Sequence, residues 1–199
     1  DEAWRFGASL KSPTWMEEFE ANGVDENGLP RSNRIDVDLP LILSVGASYD
    51  GWENWLLALD VRYLDFANTD GFGDDAYFDQ TGALNGLDYS SVVAMACGAQ
   101  CELTERWTLR TGYSFNQNPI KNSEAFYNIA SPLQFQHMLN IGSSVGFTDC
   151  LSANVAYSYA FENTRSGQVI LPRVGPVPGS TFDNKLDVHL FSFGLTVSQ

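Results

Sequence analysis

The chain has 199 residues, 44% hydrophobic and 13% aromatic, with 25 acidic against 11 basic side chains and a formal charge of −14. So acidic a chain excludes nucleic acid as a partner, because phosphate binding needs a basic face. No apolar run approaches the ~20 residues of a membrane helix. Mean hydropathy is −0.18, which still admits a barrel, since half of each barrel strand faces a polar interior.

Taken in chain order, eight stretches carry the two-residue period of a strand with one apolar and one polar face. Residues 3–11 set Trp4, Phe6, Ala8 and Leu10 against Arg5, Gly7, Ser9 and Lys11; a long loop with Pro13, Pro30 and many acids follows. Residues 35–50 set Leu39, Leu41, Leu43, Val45, Ala47 and Tyr49 against Ser44, Gly46 and Ser48. Pro40 lies inside this stretch and predicts irregular pairing, because it cannot donate to the ladder. Asp50-Gly51 opens a short turn. Residues 54–66 set Trp55, Leu57, Leu59, Val61 and Tyr63 against Ala58, Asp60 and Arg62, before an acidic, glycine-rich loop to residue 88. Residues 89–103 put Val93, Met95, Cys97, Ala99, Cys101 and Leu103 on the apolar side, and Thr104-Glu105-Arg106 turns the chain.

Residues 107–116 are the clearest stretch: Trp107, Leu109, Thr111, Tyr113 and Phe115 against Thr108, Arg110, Gly112, Ser114 and Asn116. Asn118-Pro119 and Ser131-Pro132 mark the loop that follows. Residues 136–147 set His137, Leu139, Ile141, Ser143, Val145 and Phe147 against Met138, Asn140, Gly142, Ser144 and Gly146, and Thr148-Asp149-Cys150 turns the chain. Residues 151–162 set Ala153, Val155, Tyr157, Tyr159 and Phe161 against Ser152, Asn154, Ala156, Ser158 and Ala160. A loop rich in proline and glycine leads to 185–198, where Phe191, Phe193, Leu195 and Val197 alternate with Ser192, Gly194, Thr196 and Ser198. Ahead of His189 the apolar Leu186 and Val188 change parity, which predicts a bulge or the emergence of the strand above a membrane.

Long loops follow the first, third, fifth and seventh stretches, and short turns the second, fourth and sixth. This pattern predicts an all-β fold: an antiparallel transmembrane β-barrel of eight strands in one domain, 1–199, in the bacterial outer membrane. Short turns and both chain ends fall on the periplasmic side. Trp52, Trp55 and Trp107 near the turns, and Tyr63, Phe66, Phe115, Tyr159 and Phe161 toward the long loops, read as two aromatic girdles. A soluble sandwich or lipocalin-like barrel also alternates, but with its apolar face inward. Here the other face carries Arg, Asn and Asp in mid-strand, too polar for a packed core. The chain opens at Asp1-Glu2-Ala3-Trp4 directly into a strand without a signal peptide, as expected of a mature form or of a fragment that lost its N-terminus.

Catalytic constellations are thin, and no enzyme, cofactor or metal site is expected. His137 and His189 have no evident serine and acid beside them and read as interfacial polar residues; a membrane hydrolase built on either is the weakest alternative. Cys97 and Cys101 lie roughly 13 Å apart along one strand face, too far to pair. With Cys150 in a turn, the three read as small, mostly lipid-facing hydrophobes. Two acidic groups, Glu17, Glu18, Glu20, Asp25 and Glu26, then Asp70, Asp74, Asp75 and Asp79, read as solvated loops; divalent-cation binding is the alternative, without EF-hand spacing to support it. The better candidates are the charges and amides of inward parity: Arg5, Lys11, Asp60, Arg62, Arg110, Asn116, Asn140, Asn154 and Glu162. Asp60, Arg62, Arg110, Asn116 and Asn140 are the expected ligand-binding set. Asp60 and Arg62, two apart on one face, are placed to pair, and Arg62 or Arg110 is placed to meet an anionic head group such as a carboxylate. Hydrogen-bonded plugging between strands is the plainer reading of the same residues.

Several segments resemble a known family in order along the chain. Asp38-Leu39-Pro40 with Leu43-Ser44-Val45-Gly46-Ala47-Ser48-Tyr49 resembles a strand of the FadL-type long-chain fatty acid transporters. Leu59-Asp60-Val61-Arg62-Tyr63-Leu64-Asp65-Phe66 resembles the strand after it. The run from Trp107 to Ile120, then His137, and Tyr157-Ser158-Tyr159-Ala160 continue the match. The resemblance implies an outer-membrane channel for hydrophobic compounds such as fatty acids or hydrocarbons. In that family an N-terminal hatch plugs a barrel of around fourteen strands. This chain lacks the hatch and the earlier strands, and ends in Ser198-Gln199 instead of the usual aromatic residue, so it looks like the C-terminal part of such a protein.

The function expected is passive transport of a hydrophobic small molecule, with outer-membrane lipids as the surrounding partner. The alternative is a small structural or adhesive barrel with a sealed lumen and acidic partner-binding loops. Eight strands closing alone would fill their interior with side chains and leave no pore.

Overall fold

The computed structural model describes residues 3–24, 28–130 and 134–197. Asp1 and Glu2, Asp25 and Glu26, the Ser131-Pro132 step and Ser198-Gln199 lie outside the described residues. Eight long strands form one antiparallel sheet in sequence order. They are β1 (Trp4–Lys11), β2 (Ile42–Tyr49), β3 (Trp55–Leu64), β4 (Val92–Thr104), β5 (Trp107–Asn116), β6 (His137–Gly146), β7 (Leu151–Gly167) and β8 (Phe182–Val197). Each strand is hydrogen-bonded to its sequence neighbours, while β1 and β8 are edges among the described residues, so the barrel is not closed within this chain. Antiparallel pairing satisfies the backbone polar groups that a bilayer cannot. No described helix is long and apolar enough to cross a membrane.

Alternation puts the apolar side chains on the outward face, where Phe6 is 79% and Phe191 82% exposed. Aromatic rings meet across strands on that face, as in Trp4 with Tyr49 and Tyr157 with Phe191. The buried side chains lie at the long-loop end instead: Tyr89, Ile120, Ala125, Asn128, Gln134 and Ile170. Three of those loops carry small two-stranded ribbons: Phe19–Val24 with Pro30–Ile35, Tyr77–Phe78 with Leu84–Asn85, and Ile170–Leu171 with Gly175–Pro176.

Pro40 acts as expected. β2 begins only at Ile42; upstream of it Leu39 forms an isolated bridge with Thr14, and Ile35 belongs to the first-loop ribbon. β7 and β8, at 17 and 16 residues, exceed the ~9–11 residues that cross a bilayer. Between them the pairing passes from Ala160↔Val188 to Asn163↔Leu186, so β7 carries one extra residue. This bulge inverts the parity of β7: Asn163 and Arg165 take the half-buried inward places, and Glu162, of inward parity in the sequence, is exposed. β8 keeps one parity throughout. Above His189 its inward positions turn apolar (Phe182, Leu186, Val188) and its outward ones charged (Asp183, Lys185, Asp187). The change ahead of His189 is therefore one of composition along an unbroken strand and not a bulge in β8; the bulge lies on β7, where the sequence did not place it.

Candidate functional site

The inward wall has two polar zones. On β1–β3 the cross-strand pairs Arg5↔Ser48, Gly7↔Gly46 and Ser9↔Ser44 continue as Ser48↔Ala58, Gly46↔Asp60 and Ser44↔Arg62. These residues line a concavity of about 530 Å³. Gly46 is what lets Asp60 lie flat, since a Cβ there would strike the Asp60 carboxylate. Arg5 is bound to Asp50. Arg62 has no hydrogen-bond or ion-pair partner among the described residues, and the expected Asp60–Arg62 pair does not form: same-face neighbours on one strand stand ~7 Å apart, and Asp60 turns over Gly46. Above Arg62, toward the long loops, the inward face turns apolar through Ile42, Leu64 and Val92.

On β4–β8 a polar ladder crosses five strands. Arg110 donates from Nε to Gln100 Oε1 (2.8 Å) and from Nη1 to Ser144 Oγ. Ser144 Oγ donates to Asn154 Oδ1 (2.6 Å), and Asn154 Nδ2 to Thr196 Oγ1 (3.2 Å). Arg110 is thus already held, which leaves Arg62 and, one row nearer the long loops beside Ile42, Lys11 as inward cations without a side-chain partner among the described residues. Asn140 stands beside Gly112 on the same face. Asn116 sits at the loop end, where its backbone N–H donates to the Gln136 carbonyl (2.8 Å). Of the expected set, Asp60 and Arg62 share one concavity, Arg110 belongs to the ladder, and Asn116 and Asn140 join neither by a side-chain hydrogen bond among the described residues.

The long loops pack into a cap. Asp38 N–H donates to the Asp70 carbonyl (3.1 Å), tying the first loop to the second. Ser90 N–H donates to the Pro119 carbonyl (2.9 Å), and Lys121 Nζ to Asp88 (2.8 Å), tying the second to the third. Asn128, 1% exposed, gives its Nδ2 protons to the carbonyls of Leu87 (3.0 Å) and Glu124 (2.9 Å). Gln134, equally buried, bonds both strands of the β7–β8 hairpin through the carbonyls of Asn163 (3.0 Å) and Asn184 (3.1 Å). Phe66, Phe72 and Tyr89 form one aromatic cluster, and Phe78 with Tyr127 and Phe126, which meets Phe182, another. Phe66 therefore belongs to the cap and not to the girdle. The Ser91 hydroxyl, with Asn68 and Tyr63, holds Asp65 below the usual carboxylate range, and the bond to Asp88 holds Lys121 above the usual lysine range.

The two histidines form matched pairs with tyrosines on neighbouring strands. Tyr113 Oη lies 2.6 Å from His137 Nδ1, and Tyr157 Oη 2.7 Å from His189 Nδ1. Neither ring has a serine partner among the described residues, but an acid that the sequence did not reveal stands beside one of them, with Asp187 Oδ2 3.5 Å from His189 Nε2. Cys97, Cys101 and Cys150 are unbonded.

A polar inward wall, an apolar and aromatic outward face and long loops on one side are features of outer-membrane β-barrels in general. The profile of the outer membrane transport proteins of the OMPP1/FadL/TodX type matches residues 9–198. The chain belongs to that family. Its place is accordingly the bacterial outer membrane, and the family is one of transport proteins. Among curated proteins, none matches the chain in sequence. Among solved structures, a FadL homologue from Pseudomonas aeruginosa superposes with a TM-score of 0.74 at 14% identity, over 99% of this chain and 49% of its own. The Pseudomonas putida toluene transporter TodX gives 0.57 at 17% identity, over 97% and 46%. The CymD monoaromatic hydrocarbon channel gives 0.61 at 16% identity, over 100% and 48%. The chain spans about half the length of these structures, and likeness at such identity shows the FadL-type fold.

Sequence reasoning found the inward parity but missed the cap residues Asn128, Gln134 and Tyr89. Their burial comes from contacts between loops, which leave no periodic signal; the Asn-Pro and Gly-rich punctuation marks only where those loops lie.

Proposed function

We propose that the complete protein carries hydrophobic compounds, long-chain fatty acids or hydrocarbons, across the outer membrane by passive binding and diffusion, and that Arg62 receives the anionic head group of an amphiphilic one. The observation that carries this reading is an arginine without a side-chain partner among the described residues, in a serine-lined concavity directly below the apolar row Ile42, Leu64 and Val92, which Lys11 flanks. The row offers apolar surface to a tail, while the guanidinium offers paired donors to a carboxylate. Arg110, held by Gln100 and Ser144, braces the wall. Asp60, Asn116 and Asn140 contribute polar surface on the same face.

The test is binding and uptake of a fluorescent fatty acid and of a neutral aromatic hydrocarbon by the complete protein in vesicles. Arg62→Gln should weaken the fatty acid about tenfold, ~1.4 kcal/mol, and leave the hydrocarbon unchanged. Equal losses for both would remove Arg62 from head-group recognition. No uptake by the wild type would favour the structural barrel with a sealed lumen.

A further inference from the structure

The fourth long loop, residues 168–181, touches the second loop, far from it in sequence, at two neighbouring points. Arg173 Nε donates to the Gln80 carbonyl (2.8 Å), and a Cβ on Gly82 would lie 3.4 Å from the Cβ of Pro172. These contacts bring the Ile170–Leu171/Gly175–Pro176 ribbon against the second-loop ribbon. Around the junction lie Phe78 and Phe126, with Phe126 meeting Phe182, and the buried Ile170.

The tip of the fourth-loop ribbon meets the second loop through few contacts, although Ile170 at its base is buried. Arg173 holds φ 65°, a left-handed conformation that costs a residue with a Cβ roughly 1–2 kcal/mol. Gly175 and Gly179, at φ 91° and 75°, follow it closely. Leu171 and Val174 expose apolar side chains at the ribbon, Val174 to 75%. The base, in contrast, is fixed by Gln134 across β7 and β8. A fixed base, a strained tip and a latch of one side-chain hydrogen bond describe a segment that opens at low cost.

The geometry points to a lid: the Ile170–Leu171/Gly175–Pro176 ribbon parts from the second loop to admit a hydrophobic solute to the inward face, and Arg173 is its latch. The lid rests on the channel reading above, in that its opening admits the transported compound. Leu171 and Val174 are the first apolar surface a solute meets, and the rings of Phe78, Phe126 and Phe182 are the next.

The experiment uses the complete protein with Cys97, Cys101 and Cys150 replaced by alanine, and joins the lid by Gly82→Cys with Pro172→Cys. The Cβ separation of 3.4 Å lies at the short edge of the disulfide range, and a cysteine at Gly82, φ 82°, costs roughly 1–2 kcal/mol, so a second variant accompanies this one. Uptake of a fluorescent fatty acid into vesicles should fall at least tenfold in the oxidised protein and return on reduction. Hydrogen exchange in residues 76–86 and 168–181 should likewise slow at least tenfold on oxidation. Arg173→Ala, without cysteines, should speed that exchange several-fold, which keeps the idea testable if the double variant folds poorly. Equal uptake and equal exchange in the two redox states would overturn the lid. If the wild type takes up nothing, the channel reading fails and exchange alone decides the lid: slowing on oxidation supports a moving ribbon, and no change refutes it.

Discussion

The ladder from Gln100 to Thr196 is a test of whether the inward wall behaves as one unit or as separate contacts. Arg110→Met removes the bonds to Gln100 Oε1 (2.8 Å) and to Ser144. A hydrogen bond to a charged group contributes about 1.5–3 kcal/mol when buried. Arg110 is exposed on the wall, so ~0.5–1 kcal/mol per bond is the appropriate scale, or about 1–2 kcal/mol in all. Asn154→Ala removes the bonds to Ser144 (2.6 Å) and Thr196 (3.2 Å), two neutral contacts worth together about 1 kcal/mol at a hydrated surface. Arg110 and Asn154 are joined through Ser144, whose hydroxyl accepts from one and donates to the other. Loss of either partner frees that hydroxyl to turn, so the double variant should cost less than the two single losses together by ~0.5–1 kcal/mol. Urea unfolding of the complete protein in vesicles, followed by tryptophan fluorescence across the four forms, measures this. Additivity within ~0.3 kcal/mol would refute the ladder as a cooperative element and reduce it to independent surface bonds.

The two faces can be separated with one residue step on β3: Leu59→Arg, outward and opposite Ala47 and Cys97, should lower folding free energy by about 2–4 kcal/mol, whereas inward Ala58→Arg should change it little; equal penalties in a vesicle-folding titration would contradict the orientation. The cap should loosen in acid. Asp65 has its folded value depressed from 3.8 by its bonds to Ser91, Asn68 and Tyr63, so its contribution is present above that value and is lost as pH falls through the lower folded one. Asp79, held low by its bonds to Thr81 and Ala83, acts in the same sense, so Asp65→Asn should remove part of this acid response while raising protease cleavage in residues 65–91 at neutral pH; an unchanged acid profile in the variant would assign the response to other carboxylates.

The strands were legible because alternation is a local signal repeated in every turn of the chain. Trp107 to Asn116 is β5 from end to end, and the short turns fell where Asp50-Gly51 and Thr148-Asp149-Cys150 marked them. The first-loop ribbon and the bulge between Ala160 and Asn163 were not legible. A ribbon of mixed polar residues has no apolar face to reveal it, and one extra residue in β7 shows only when its partner strand is known. That residue turns Glu162 outward and recruits Asn163 and Arg165. For the site, parity identified the wall, but whether a charge is free or spent depends on its cross-strand neighbour. Arg62 faces serine and alanine and stays free, Arg110 meets Gln100 across β4, and Asp60 is settled by the absence of a side chain at Gly46.

The outward face, where Phe6, Phe191 and Phe193 stand 79%, 82% and 71% exposed, makes the solvent a selector between two readings of one rhythm. In water the same alternation is best satisfied inside out, with the rings gathered together and Arg62, Arg110 and Asn154 turned to the bulk. In a bilayer the order reverses. The lipid therefore acts as a template as well as a container, and any state that the chain occupies before it meets a membrane must keep these aromatic rows apart from one another and from other copies.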